Sequence, residues 1–195
     1  PSPSLDPSQI IEGKAKRTLA NRSMAEAVTY SFLSSQHALL FGGGKDELKL
    51  VNPISSDLDE MRPSIIPNLI SSALKNSNMG NSDIAIFEVG PQYADASSEG
   101  QQVVAAGIRT GQTTARHWSN VSRSVDVFDV KGDVVALLEV LAVPVANLQT
   151  TVDAPNWYHP GRSGVLRLGP NALAYFGEIH PTVLRAMSVD YPIMA

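Results

Sequence analysis

Cysteine is absent from the 195 residues, which excludes disulfide frameworks, thiolate metal ligation, iron–sulfur clusters and thiol nucleophiles. No apolar run approaches the ~18 residues that a membrane-crossing helix needs, and no signal-peptide pattern opens the chain. A cytoplasmic setting with no membrane partner fits both absences. Basic charge is scarce too. Fifteen Lys and Arg stand against 19 Asp and Glu, giving a net charge of −4 and a pI of about 5.5. A free-standing nucleic-acid binder draws much of its affinity from a basic excess, so this balance argues against RNA or DNA as the main partner. What is present is ordinary globular composition, 43% hydrophobic and 17% charged. A chain of this length buries about 70% of its unfolded surface and needs no covalent or metal staple.

Residues 1–7 are rich in Pro and Ser and read as a linker, leaving 8–195 as one module. The spacing of Ile11, Ala15 and Leu19 predicts a helix over 8–21, with Gly13 weakening it by about 1 kcal/mol. Val28, Tyr30 and Phe32 alternate with Thr29 and Ser31, the pattern of a half-buried strand. Ser34 caps a short helix to Leu40, closed by Gly42-Gly43-Gly44. A second strand is expected over 48–51, then a helix over 64–76 with Ile66, Leu69, Ile70, Ala73 and Leu74 on its apolar face. Strands are expected over 83–93 and 102–109, followed by a long polar loop over 110–124. Asp126 caps a helix to Ala142, and Pro181 opens a last short one. Between them, strands fit 148–152, 163–168 and 172–179. Strands joined by short turns imply an α+β fold, a largely antiparallel sheet with helices on one face. The chain opens without Met and closes on Tyr191-Pro192-Ile193-Met194-Ala195, which reads as the start of another strand, so a segment of a longer protein is expected.

Candidate chemistry is thin. Gly42-Gly43-Gly44-Lys45 has the glycines and lysine of a phosphate loop, but Asp46 stands where Ser or Thr is needed, and a helix-ending turn explains it as well. His37, His117, His159 and His180 show no metal-ligand spacing. Ser163 near His159 has no triad spacing, and no G-x-S-x-G elbow occurs. Asp126, Asp129 and Asp133 are either an acid–base set or an N-cap with a solvated face. Arg109, Arg116, His117, Trp118 and Arg123 either contact single-stranded nucleic acid or belong to a loop folded over the sheet with Trp118 as its anchor. No catalytic residue and no metal ligand is assigned.

Seven segments, in order, carry a family resemblance. They are Glu26-Ala-Val-Thr-Tyr-Ser-Phe32, Asn52-Pro-Ile-Ser55, Met61-Arg-Pro-Ser-Ile-Ile-Pro-Asn-Leu69, Ile86-Phe-Glu-Val-Gly90, the run from Asp126 to Asp133, His159-Pro-Gly-Arg-Ser163 and Gly177-Glu-Ile-His-Pro181. Together they resemble the core that follows the B5 domain in the phenylalanyl-tRNA synthetase β chain of bacteria. The resemblance implies the fold of a class II aminoacyl-tRNA synthetase, an antiparallel sheet flanked by helices.

In that class a strand motif of the form F-E-I-G-R-x-F-R-x-E supplies an Arg that grips the ATP phosphate. Laid on it, Ala94 takes the Arg position and Ala96 the Glu position. A methyl group can do neither task. The third class motif, G-x-G-x-x-R, does not occur in the chain; it is expected after His180, close to where the sequence stops. The resemblance therefore implies a structural and assembly module without a cofactor of its own. The parent complex, an (αβ)2 heterotetramer with the α chain, uses ATP and magnesium and acts on phenylalanine tRNA. Asn52, Pro53 and Arg62 are the candidate contacts to the α chain, although an internal salt bridge accounts for Arg62 equally well. The alternatives are a tRNA-contacting RNA-binding module and a class II-like ATP-binding enzyme.

Overall fold

Helix α1 (Pro7–Asn21) starts where its caps dictate. The Asp6 carboxylate accepts from the Ser8 N–H at 2.9 Å, Gln9 reaches back to the Asp6 N–H, and Pro7 occupies the first turn, where no donor is lost. α1 thus begins inside the stretch read as linker. The computed structural model describes residues 5–114, 117–119 and 121–195. Ala15 and Leu19 are buried as their spacing requires, but Ile11 faces solvent.

The half-buried strand expected around Val28 and Tyr30 does not form. In its place are two short pieces, β1 (Ala25–Glu26) and β2 (Phe32–Leu33), with Val28 and Tyr30 exposed between them. The cause is that the Tyr30 carbonyl accepts from the side chains of Arg62 and Asn68 rather than from a neighbouring strand. Helix α2 (Ser35–Leu40) is capped by Ser34. The strand expected over 48–51 is also absent. A 3-10 turn covers Asp46–Leu48, and a single bridge joins Lys49 to Glu60 of β3 (Glu60–Met61).

Helix α3 (Ile66–Asn78) lacks a conventional cap, and the Ser64 hydroxyl accepts the Ile66 N–H instead. Its Leu69, Ile70 and Ala73 are wholly buried. Each of the larger two contributes about 1.5–3 kcal/mol by leaving water. β4 (Ile84–Tyr93) and β5 (Gln101–Thr110) form a ten-pair antiparallel hairpin. Further on come α4 (Val127–Val140), β6 (Gln149–Thr151), β7 (Tyr158–Leu168), β8 (Asn171–Ile179) and α5 (Pro181–Ala186).

The strands fall into the orders β1-β4-β5, β2-β3 and β6-β7-β8, antiparallel throughout except for β1 on β4. Met194 bridges Arg109 of β5 and Glu178 of β8, so the segment read as the start of a strand joins the two larger sheets into one layer. Helices lie on both faces rather than one. Ile84, Ile86 and Ile108 pack with α3, while Phe87, which points the other way, packs with Leu19 of α1. Helix α4 packs on Leu166 and Phe176.

Candidate functional site

The β4–β5 hairpin carries the residues that resemble a nucleotide-gripping motif, and its turn end is the place to look for chemistry. Phe87 is consumed by packing against Leu19 and Met24. Glu88, its neighbour on the opposite face, meets Arg62 at 2.9 Å, the two side chains only 5% and 1% exposed. The Arg62 Nε donates to the Pro91 carbonyl at 2.7 Å and Nη1 to Thr29 Oγ1 at 2.9 Å. Thr29 Oγ1 in turn donates to Glu88 Oε2 at 2.6 Å. The charge pair is thereby closed by hydrogen bonds, as burial demands. Gly90 has a packing reason: a Cβ there would stand 2.9 Å from Arg62 Nη2. Of the two roles weighed for Arg62, the structure shows the internal salt bridge. Asn52 and Pro53 are exposed on the loop that precedes β3.

Beyond Tyr93 the chain turns over residues 94–100. Ala94 donates its N–H to the Gly100 carbonyl, and the Asp95 carboxylate accepts from the Ser97 hydroxyl and N–H. Those two bonds, the side-chain one first, hold Asp95 below the usual carboxylate range. The Gly42–Gly44 turn brings Lys45 to this end of the hairpin, where its Nζ donates to the Ala94 carbonyl at 2.6 Å. Glu60 Oε1 accepts the Gly44 N–H at 2.7 Å, so a carboxylate sits where a phosphate loop offers its amide. The arrangement is a positive group facing a carbonyl and an acid, with methyl groups at Ala94 and Ala96.

The other candidates resolve into structure. Asp126 is an N-cap, accepting from the N–H groups of Phe128 and Asp129. Asp129 completes the capping box and pairs with Arg123 at 2.6 Å. Asp133 is buried between Arg22 at 2.5 Å and Arg109 at 2.6 Å, tying α1, β5 and α4 together. His180 caps α5 through Nδ1, and His159 accepts the Gly161 N–H. Trp118 is not an anchor: it is 92% exposed and touches the His117 ring. Arg116 lies outside the described residues. Among the described residues no three His, Asp or Glu are grouped to hold a metal, and no helix is long and apolar enough to cross a membrane. Sequence reasoning missed the triangle of Thr29, Arg62 and Glu88. Its one visible signal was that all three fall within the family-like segments.

Residues 1–195 match the family model described as the phenylalanyl tRNA synthetase beta chain CLM domain. The chain belongs to this family. Curated relatives agree. The phenylalanine–tRNA ligase beta subunit of Rhodospirillum rubrum is 51% identical over 194 residues, covering 100% of this chain and 24% of the relative. That of Mesorhizobium japonicum is 46% identical over 190 residues, again 24% of its length. The CLM domain thus spans about a quarter of the relatives it matches. Among solved structures, a pyrrolysyl tRNA synthetase from Desulfitobacterium hafniense superposes with a TM-score of 0.70 at 13% identity, over 96% of this chain and 62% of that one. A second pyrrolysyl-tRNA synthetase structure from the same organism gives 0.65 at 14% identity, over 95% and 64%. The CLM domain therefore has the synthetase fold.

Proposed function

We propose that this chain is a structural and assembly module of a phenylalanine–tRNA ligase β chain, without adenylate chemistry of its own. In the complete cytoplasmic enzyme it supports the α chain, which joins phenylalanine to its tRNA with ATP and magnesium, within an (αβ)2 heterotetramer. One observation carries the reading: Ala94 and Ala96 stand in the turn of a hairpin with the synthetase fold, and the nearby cation, Lys45, is already bonded to the Ala94 carbonyl. Asn52 and Pro53 are the exposed loop positions assigned to the α chain. Arg62 serves that contact only indirectly, by holding β3 against β4. A tRNA-contacting role draws no support from Arg109 and Arg123, both of which are ion-paired within the fold. Calorimetric titration with magnesium ATP tests the reading. No saturable heat is expected up to millimolar nucleotide, and micromolar binding abolished by Lys45→Ala would overturn it.

A further inference from the structure

Strands β7 and β8 lose register at one place. Tyr158 faces Ile179 and Ser163 faces Gly177, so the residues from His159 to Arg162 bulge against Glu178 alone. Bulges re-aim side chains, and here the rings of His159 and His180 stack, their centres 6.1 Å apart and their planes 23° from parallel. Each Nδ1 accepts a backbone N–H at 3.1 Å, one from Gly161 and the other from Thr182. A neutral imidazole that accepts at Nδ1 carries its proton on Nε2. Both rings are half-buried, and neither Nε2 has a protein partner among the described residues. The pair thus presents two N–H donors whose orientation the backbone fixes.

Two guanidinium groups flank the rings. Arg162, from the bulge, donates through Nη1 to Glu178 Oε2 at 2.7 Å, and its side chain is 61% exposed. Arg185 folds back along α5, its Nε donating to the carbonyl of Pro181, the neighbour of His180. Charge around the pair is one-sided. Between Asp153 and Asp190 the chain has three Arg, two His and a single acid, Glu178, in a protein of net charge −4. Glu178 is already paired with Arg162. A metal ion does not suit the rings. A ligating Nε2 gives up its proton, and the proton that remains would sit on Nδ1 against the N–H it now accepts. Donors without acceptors call for an anion, and two rings with two guanidinium groups offer more N–H groups than the two oxygens of a carboxylate use. We propose that His159 and His180, flanked by Arg162 and Arg185, form a binding site for a phosphate group, free or in a nucleic-acid backbone. The donors are side chains, because the Thr182 N–H at the start of α5 is taken by His180.

The test uses the complete ligase. Asn is the informative replacement for each His: its Oδ1 takes the N–H that Nδ1 takes, it caps helices well, and it places no donor where Nε2 was. Equilibrium dialysis against radiolabelled inorganic phosphate, in a fixed chloride background, counts the phosphate held per β chain. His159→Asn with His180→Asn is expected to lose one saturable equivalent while the circular dichroism stays that of wild type. Arg185→Gln, at an exposed position, is expected to weaken the same equivalent about tenfold, the loss of one charge-assisted bond. No saturable uptake by the unaltered ligase, or equal uptake by the Asn pair, overturns the site. Should the Asn pair disturb the fold, Arg185→Gln decides alone, and unchanged affinity overturns the site. Acetate that displaces phosphate at equal concentration also overturns it, because a general attraction for anions then explains the uptake. Uncharged phenylalanine tRNA as competitor names the source. Displacement of the labelled phosphate assigns the site to a nucleic-acid backbone, and retention assigns it to a free phosphate compound.

Discussion

Arg62 and Glu88, 26 positions apart in sequence, meet at 2.9 Å on the face of β4 opposite Phe87. The guanidinium the fold does possess is turned inward. It braces β3, β4 and the Thr29 segment instead of reaching for a phosphate.

Breaking that pair leaves one buried charge without a partner. Arg62→Met is therefore expected to lower stability by about 3–5 kcal/mol, read as a fall in the urea midpoint. The double variant Arg62→Met, Glu88→Leu is expected to recover most of the loss, because burying apolar groups of similar volume avoids the desolvation cost. If the double variant proves as unstable as the single, the pair's hydrogen bonds matter more than its charge balance.

Asp133 makes a second junction, holding Arg22 at the end of α1 and Arg109 on β5. Asp133→Ala strands Arg109 in a largely buried place and leaves α1 without its tie to α4. We expect a loss of about 3–5 kcal/mol and earlier exchange of the α1 amides, followed by hydrogen exchange. Uniform loss of protection across the whole domain would contradict a local tie.

These junctions mark the limit of what was legible in the sequence. The helices were readable because their signals are local: Asp6 or Ser34 before a periodic run, Asp126 three residues before Asp129, Pro181 after His180. The hairpin of β4 and β5 was readable from two apolar runs around a polar turn. The segment at Val28 and Tyr30 misled because its alternation is strand-like while its carbonyl partners, Arg62 and Asn68, lie more than 30 residues away. Trp118 misled differently, since composition suggests an anchor and only packing reveals its exposure. Of the site, Ala94 and Ala96 were visible as missing groups. The choice between two roles for Arg62 needed Thr29 and Glu88 in place.

Acid should loosen the start of α4. The Arg123 guanidinium, bonded to Asp129 at 2.6 Å, holds that carboxyl below the usual carboxylate range, helped by the Asp126 N–H. A folded pKa below the unfolded value of about 4 means the contribution is present at neutral pH and vanishes as pH falls through the folded pKa. Arg123→Ala is thus expected to cost a little stability at pH 7, since Arg123 is largely solvent-screened, and less near pH 2. Denaturation at both pH values measures the difference; an equal cost at each would mean that packing, not charge, sets it.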